Sequence, residues 1–178
     1  MLEIIFKDLK IEHQIKKSIK HSYIRVDRNS NISLKTPKVS KSYIQSLLLE
    51  KEGWIRKQLY KNIDNPPIYL TLDDINSKNS IEYLTKKVNH FSAVMGFSYS
   101  ELKFRKMKSR WGSCNSKGVI TLNKKLIKTP ETCVDYVIIH ELAHLKHLNH
   151  SKKFHTLIDK YHPNPKEAKD ILSRVVFL

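Results

Sequence analysis

Apolar residues at first recur at every second position. The runs 2–7 and 10–15 read as short strands, and Tyr23-Ile24-Arg25-Val26 and Ile32-Ser33-Leu34 as a hairpin about Asn29-Ser30-Asn31. From Ser40 to Tyr60 the period lengthens to that of a helix, with Ile44, Leu47, Leu48, Trp54, Ile55 and Leu59 as its core stripe. Asn65-Pro66-Pro67 interrupts the pattern and divides a β-rich N-terminal lobe with its helix, residues 1–64, from residues 65–178. The two are expected to form one continuous structural unit. A less regular helix is predicted from Ile75 to Met95, with Gly96 as its C-cap. Phe104, Trp111, Ile120 and Leu122 then suit strands, and Asn115-Ser116-Lys117-Gly118 suits the turn of a hairpin.

The period changes again at Thr129-Pro130, which reads as an N-cap followed by proline at the first helical position. Val134, Val137, Ile138, Leu142 and Leu145 supply the apolar face of that helix. A further helix through Phe154, Leu157 and Ile158 starts at Ser151. Asn164-Pro165-Lys166-Glu167 opens the last one, with Glu167 placed for a capping box. Strands early and helices late make the fold class α+β.

The helix that follows the hairpin carries the chemistry. Residues 140–150 read His-Glu-Leu-Ala-His-Leu-Lys-His-Leu-Asn-His. On a helix, His140 and His144 are one turn apart and share a face, so two imidazoles can take adjacent corners of one tetrahedral zinc. Glu141 is one residue round and can act as a general base on water there. For the third ligand, His147 competes with His150. On a continuous helix, seven residues set His147 about 10.5 Å along the axis from His140. Ligand atoms on one zinc are at most roughly 4 Å apart. His150 is favoured, because Leu148 and Asn149 can end the helix, Asn149 in the left-handed conformation, and turn the chain back. His155 and His162 read as surface residues.

The hairpin admits two compatible readings: a structural support for the helix, or an exposed edge strand that pairs with an extended peptide. On the second, Arg110, Trp111, Gly112, Ser113 and Cys114 bind substrate.

Ser109-Arg110-Trp111-Gly112-Ser113-Cys114, Gly118-x-Ile120-x-Leu122-Asn123, Asp135-Tyr136-Val137-x-x-His140-Glu141-Leu142-Ala143-His144-Leu145 and Asn149-His150-Ser151-x-x-Phe154 resemble, in order and spacing, the YgjP-like metallopeptidase family, related to the SprT-like and WLM zinc peptidases. Ile32-Ser33-Leu34-Lys35-Thr36-Pro37 and Lys51-x-x-Trp54-Ile55 resemble its N-terminal segment. The resemblance implies a zincin-like core, Zn2+ held by His140, His144 and His150, Glu141 as catalytic acid/base, and a peptide or protein substrate. His155 departs from the Trp that the family usually has there. Some relatives carry a nucleotide pyrophosphatase label, so metal-dependent nucleotide hydrolysis is the alternative activity. A non-catalytic zinc-stabilised module that binds polyanions is a third reading, disfavoured because a purely structural zinc has no use for Glu141.

Composition bounds the rest. Forty per cent hydrophobic and 28% charged residues describe a globular chain. No apolar run is long enough to span a bilayer. The N-terminus lacks a secretory pattern, and two cysteines, Cys114 and Cys133, do not make a disulfide framework, so a cytoplasmic location is expected. The net charge is +16, concentrated in residues 1–63 and 105–178. It leaves weak electrostatic contact with nucleic acid open, although Lys outnumbers Arg and no nucleic-acid motif accompanies it. Oligomeric state is not legible.

Overall fold

The computed structural model describes residues 2–71 and 77–177. These fall into two compact units, residues 1–67 and 68–178.

In the first unit, β1 (Leu2–Phe6), β2 (Leu9–Ile15), β3 (Tyr23–Val26) and β4 (Ile32–Thr36) form a sheet in the order β1-β2-β4-β3. Alternation sends Leu9, Ile11 and His13 of β2 inward and Lys10 and Glu12 outward. The inner face meets Ile44, Leu48 and Ile55 of helix α1 (Lys41–Asp64). Both hairpins are antiparallel, but β2 and β4 pair in parallel, a long-range pairing with no local signal in the chain. At the polar end of the core, the His13 ring hydrogen-bonds the Thr36 hydroxyl at 2.9 Å. Arg56 on Asp8, and Lys7 on Glu52 at 2.6 Å, fasten the β1–β2 turn to α1.

The second unit is organised around one helix. It comprises β5 (Ile68–Leu70), α2 (Lys78–Met95), β6 (Glu101–Arg105), β7 (Gly112–Cys114), β8 (Val119–Asn123), a 3-10 turn (Lys124–Lys128), α3 (Glu131–Ala143), α4 (Lys152–Tyr161), α5 (Pro165–Arg174) and β9 (Val175–Phe177). The expected start of α2 at Ile75 lies outside the described residues; the described helix is capped by Ser77, and Gly96 closes it at φ 69°. Helix α3 packs against α2, α4, α5, β7 and β8. Eight of its thirteen residues are buried, among them Cys133, Ile139 and Ala143 outside the expected stripe. A helix surrounded on several sides has no single apolar face. Lys87 of α2 anchors its first turn by pairing with Glu131 and with Asp135.

The three-stranded sheet has the order β6-β8-β7, with β6 parallel and β7 antiparallel to β8. The β7–β8 turn is held by the Asn115 side chain, which accepts from the Lys117 and Val119 amides, and closes at Gly118 with φ 75°. Among the described residues, strand β7 pairs only with β8 and is an edge. Among the described residues, no helix is long and apolar enough to cross a membrane.

Several local expectations are corrected. Thr129 does not cap α3: it is buried, and its hydroxyl donates to the Leu126 carbonyl at 2.7 Å, so the side chain closes the 3-10 turn instead. Pro130 takes the cap position, with no side-chain bond. At α5, Asn164 accepts from the Glu167 amide, but Glu167 answers the Asn164 side chain at 2.6 Å and not its backbone amide. That amide is engaged by His162. His162 is therefore no surface residue. It is buried, donates from Nε2 to the Thr132 carbonyl at 2.9 Å, and accepts from Asn164 at Nδ1, tying the start of α3 to the start of α5.

Candidate metal and catalytic centre

Helix α3 ends at Ala143, with His144 at its C-cap, and the chain then turns through residues 144–149. The expected continuation past His147 is thus wrong, and Asn149 is not in the left-handed region, where Lys7 and Ser30 are the non-glycine residues. Buried packing stops the helix early: Leu145 stays against the core while the Leu145 and Lys146 amides bond in tight turns to Leu142 and Ala143. His147 therefore lies beyond the helix, and helical rise does not set its distance from His140.

The geometry nevertheless brings His150 to the other two. One ligand atom from each of His140, His144 and His150 lies within 4.8 Å of the others. The Nε2 atoms of His140 and His150 are 3.2 Å apart, close to the spacing of about 3.4 Å between two nitrogens on one tetrahedral zinc. His147 takes part differently. Its backbone carbonyl accepts a hydrogen bond from His144 Nδ1 at 3.0 Å, which turns the Nε2 lone pair of His144 outward. Phe154, fully buried on α4, packs its ring against all three imidazoles, with centroids 4.6 to 4.9 Å away.

The donor set fits a metal ion. Burial, with the neighbouring imidazoles, pushes His140 down to about 4, and burial also lowers His144. Both rings are neutral at pH 7, the form that ligates. Ring nitrogens of three separate histidines converge to within 4.8 Å of one another, and a cation between them would satisfy all three.

Glu141 is buried, and its carboxyl is raised to about 7 by desolvation, opposed by the Arg110 guanidinium. Its position depends on Gly112. A Cβ at residue 112 would lie 2.6 Å from Glu141 Oε1 and 2.7 Å from Cγ, so the carboxylate rests directly on the β7 backbone. Asn123, missed as a site residue in the sequence, builds this approach. It donates to the Met107 and Arg110 carbonyls at 2.9 Å each, and its own amide bonds the Trp111 carbonyl at 2.8 Å. Its signal in the sequence was its place at the end of the Gly118-x-Ile120-x-Leu122-Asn123 segment of the family resemblance.

A cavity of about 320 Å³ opens beside Glu141 and His140, lined by β7, α3 and α5. Arg110, Trp111 and Gly112 face it; Ser113 and Cys114 do not. Ser113 lies opposite Thr121, and the Cys114 thiol, raised by burial, donates weakly to the Asn115 carbonyl. Tyr136 lines the cavity, with its ring 5.8 Å from that of His140, whereas Tyr161 and His155 do not; His155 stacks beside His150 at 6.4 Å.

Residues 68–175, the second unit almost entire, match the family described as YgjP-like, metallopeptidase domain. The chain belongs to the YgjP-like metallopeptidase family. Two solved structures are similar to it. The metallopeptidase zymogen abylysin of Pyrococcus abyssi is 29% identical over 49% of this chain and 87% of its own, with a TM-score of 0.44. The zymogen jannalysin of Methanocaldococcus jannaschii is 24% identical over 50% and 90%, with a TM-score of 0.43. No curated protein matches the chain. Family membership makes it a metallopeptidase, a hydrolase with a metal ion, and the triad of histidines is where such an ion fits.

Proposed function

We propose that the chain is a zinc-dependent peptidase, with residues 68–178 as its catalytic region. The observation that carries this reading is the convergence of His140, His144 and His150 beside a buried carboxyl, Glu141, seated on Gly112. Each histidine would hold zinc through one ring nitrogen. Zinc in such a site supplies Lewis acidity, making water nucleophilic near neutral pH and polarising a carbonyl.

The chain's own groups do the rest. Glu141 takes a proton from the attacking water and returns it to the leaving amine, a task suited to a carboxyl whose pKa is raised towards neutrality. The free edge of β7 pairs with an extended peptide and sets the scissile bond across Glu141. Tyr136 is the side chain placed to steady the carbonyl oxygen, since its hydroxyl, kept protonated by burial, can donate. Phe154 keeps water from the back of the histidines. Cytoplasmic residence belongs to the same proposal, because a reducing compartment keeps Cys114 and Cys133 as thiols. Weak, salt-sensitive contact of the basic surface with nucleic acid is a secondary property.

The test is Glu141→Gln in zinc-loaded protein. Zinc content, read by elemental analysis, should stay at one per chain while peptide cleavage falls by about 10²–10⁴. Wild-type protein that takes up no zinc, or a variant that cleaves as fast as wild type, would remove the reading. A parallel nucleotide-release assay should stay silent.

A further inference from the structure

We infer that the cavity beside Glu141 is a specificity pocket for a substrate carboxylate, selected by Arg110 and Lys169. The inference rests on the peptidase reading and adds a substrate class to it.

Trp111, Tyr136, Val137 and Leu172 give the cavity apolar and aromatic walls, with His140 and the Glu141 carboxyl at the catalytic end. Its volume, about 320 Å³, admits one side chain or a chain terminus, not a folded surface. At this slot stand two exposed cations from separate elements, Arg110 on the loop before β7 and Lys169 on α5. Neither forms an ion pair among the described residues. A few cations of the same unit are matched, Lys87 with Glu131 and Asp135 and Arg174 with Asp170, but among the described residues those around this slot are not. The charge extends outwards. The adjoining cavity on one side includes Lys108 and Lys125, and that on the other His155 and Lys166, with Asp159 as the one carboxylate among their linings. A low-dielectric slot edged by cations without a direct ion pair concentrates a positive field at its mouth, while on the inner side the Arg110 charge also acts on Glu141.

An apolar barrel with a cationic rim suits a ligand with an aliphatic stem and an anionic head. That describes a glutamate or aspartate side chain, or the free carboxylate of a peptide C-terminus. A polyphosphate suits it less well. The lining includes no glycine-rich nest of backbone amides, and its one glycine, Gly112, is covered by Glu141.

Binding separates this from turnover. Zinc-loaded, full-length Glu141→Gln is titrated by calorimetry, with Trp111 fluorescence as a second readout. The ligands are short capped peptides carrying Glu, Gln or Lys, moved through each position in turn, uncapped peptides with a free C-terminal carboxylate, and UTP. The Glu peptide should bind about tenfold tighter than its Gln isostere at one position, with Lys weakest. Lys169→Ala and Arg110→Ala should each erase most of that ratio and Lys169→Arg preserve it. Lys86→Ala, on the outer face of α2, should leave it unchanged. A free terminus preferred over internal Glu supports the pocket and assigns the carboxylate to the chain end. Equal binding of Glu and Gln peptides at every position overturns the inference. So does a preference that survives both alanine substitutions, or UTP binding tighter than any peptide with the same dependence on Arg110 and Lys169. Wild-type protein that prefers acidic peptides but cleaves none sinks the peptidase reading and leaves the pocket; cleavage without acidic preference does the reverse.

Discussion

In residues 1–67, the buried polar side chains are matched within their own unit. His13 and Thr36 bond each other, and Asn62 donates to the Asp27 carbonyl at 2.8 Å. In residues 68–178, some buried polar groups are satisfied in the same way, His162 and Asn123 among them. Around the end of α3 they are not. His140 Nδ1 is buried without a partner, and Glu141 has no hydrogen bond or ion pair among the described residues. Unmatched buried polar groups cost free energy that nothing local offsets, and folds retain them where a ligand or a reaction uses them. The buried polar groups of the first unit are satisfied within it; the second keeps part of its polar chemistry uncommitted.

The sharpest way to break that contrast is at the ligands. His150→Ala should weaken zinc binding by more than about 100-fold, read by competition with a chromogenic chelator. His147→Ala should change it only a few-fold, since residue 147 contributes a backbone carbonyl that alanine retains. The reverse order would mean that the histidines are grouped wrongly.

Next comes Gly112→Ala. The added methyl meets the flexible end of Glu141, which will swing aside before the fold yields. Turnover should drop by about 10- to 100-fold, with zinc content and melting temperature near those of wild type. Lost zinc or a collapsed fold would show that Gly112 supports the unit and not the carboxyl.

Leu48→Ala tests the first unit. Leu48 is 1% exposed on α1, so its truncation should cost about 2–5 kcal/mol of stability in denaturant unfolding, with zinc affinity unchanged. A shift in zinc affinity would end the division of labour drawn above.

The smallest effect is electrostatic. The Arg56 hydrogen bond holds the exposed Asp8 carboxyl down to about 2 from an ordinary 3.8. The pair therefore stabilises the fold above pH about 4 and ceases to do so as pH falls towards 2. Asp8→Asn should flatten the acid limb of an unfolding curve over that window alone. An unaltered curve would show Asp8 to be a bystander, as many exposed pairs are.

What the chain determined by itself was everything carried by local periodicity. The helical pattern from Ser40, Gly96 as a C-cap, the β3–β4 and β7–β8 hairpins and the one-turn spacing of His140 and His144 all follow from neighbours a few residues apart. The return of His150 to the side of His140 and His144 was expected too, but for an incomplete reason, since the helix ends sooner than its apolar period implied. Tertiary structure decided the rest. It stopped α3 at Ala143, engaged His162 between two helix starts, and laid β6 parallel to β8. It also pressed the Glu141 carboxyl onto Gly112 and brought Arg110 and Lys169, 59 residues apart in the chain, to one cavity. Those outcomes depend on which surfaces of distant segments exclude water together, and no periodicity within a segment encodes its partner.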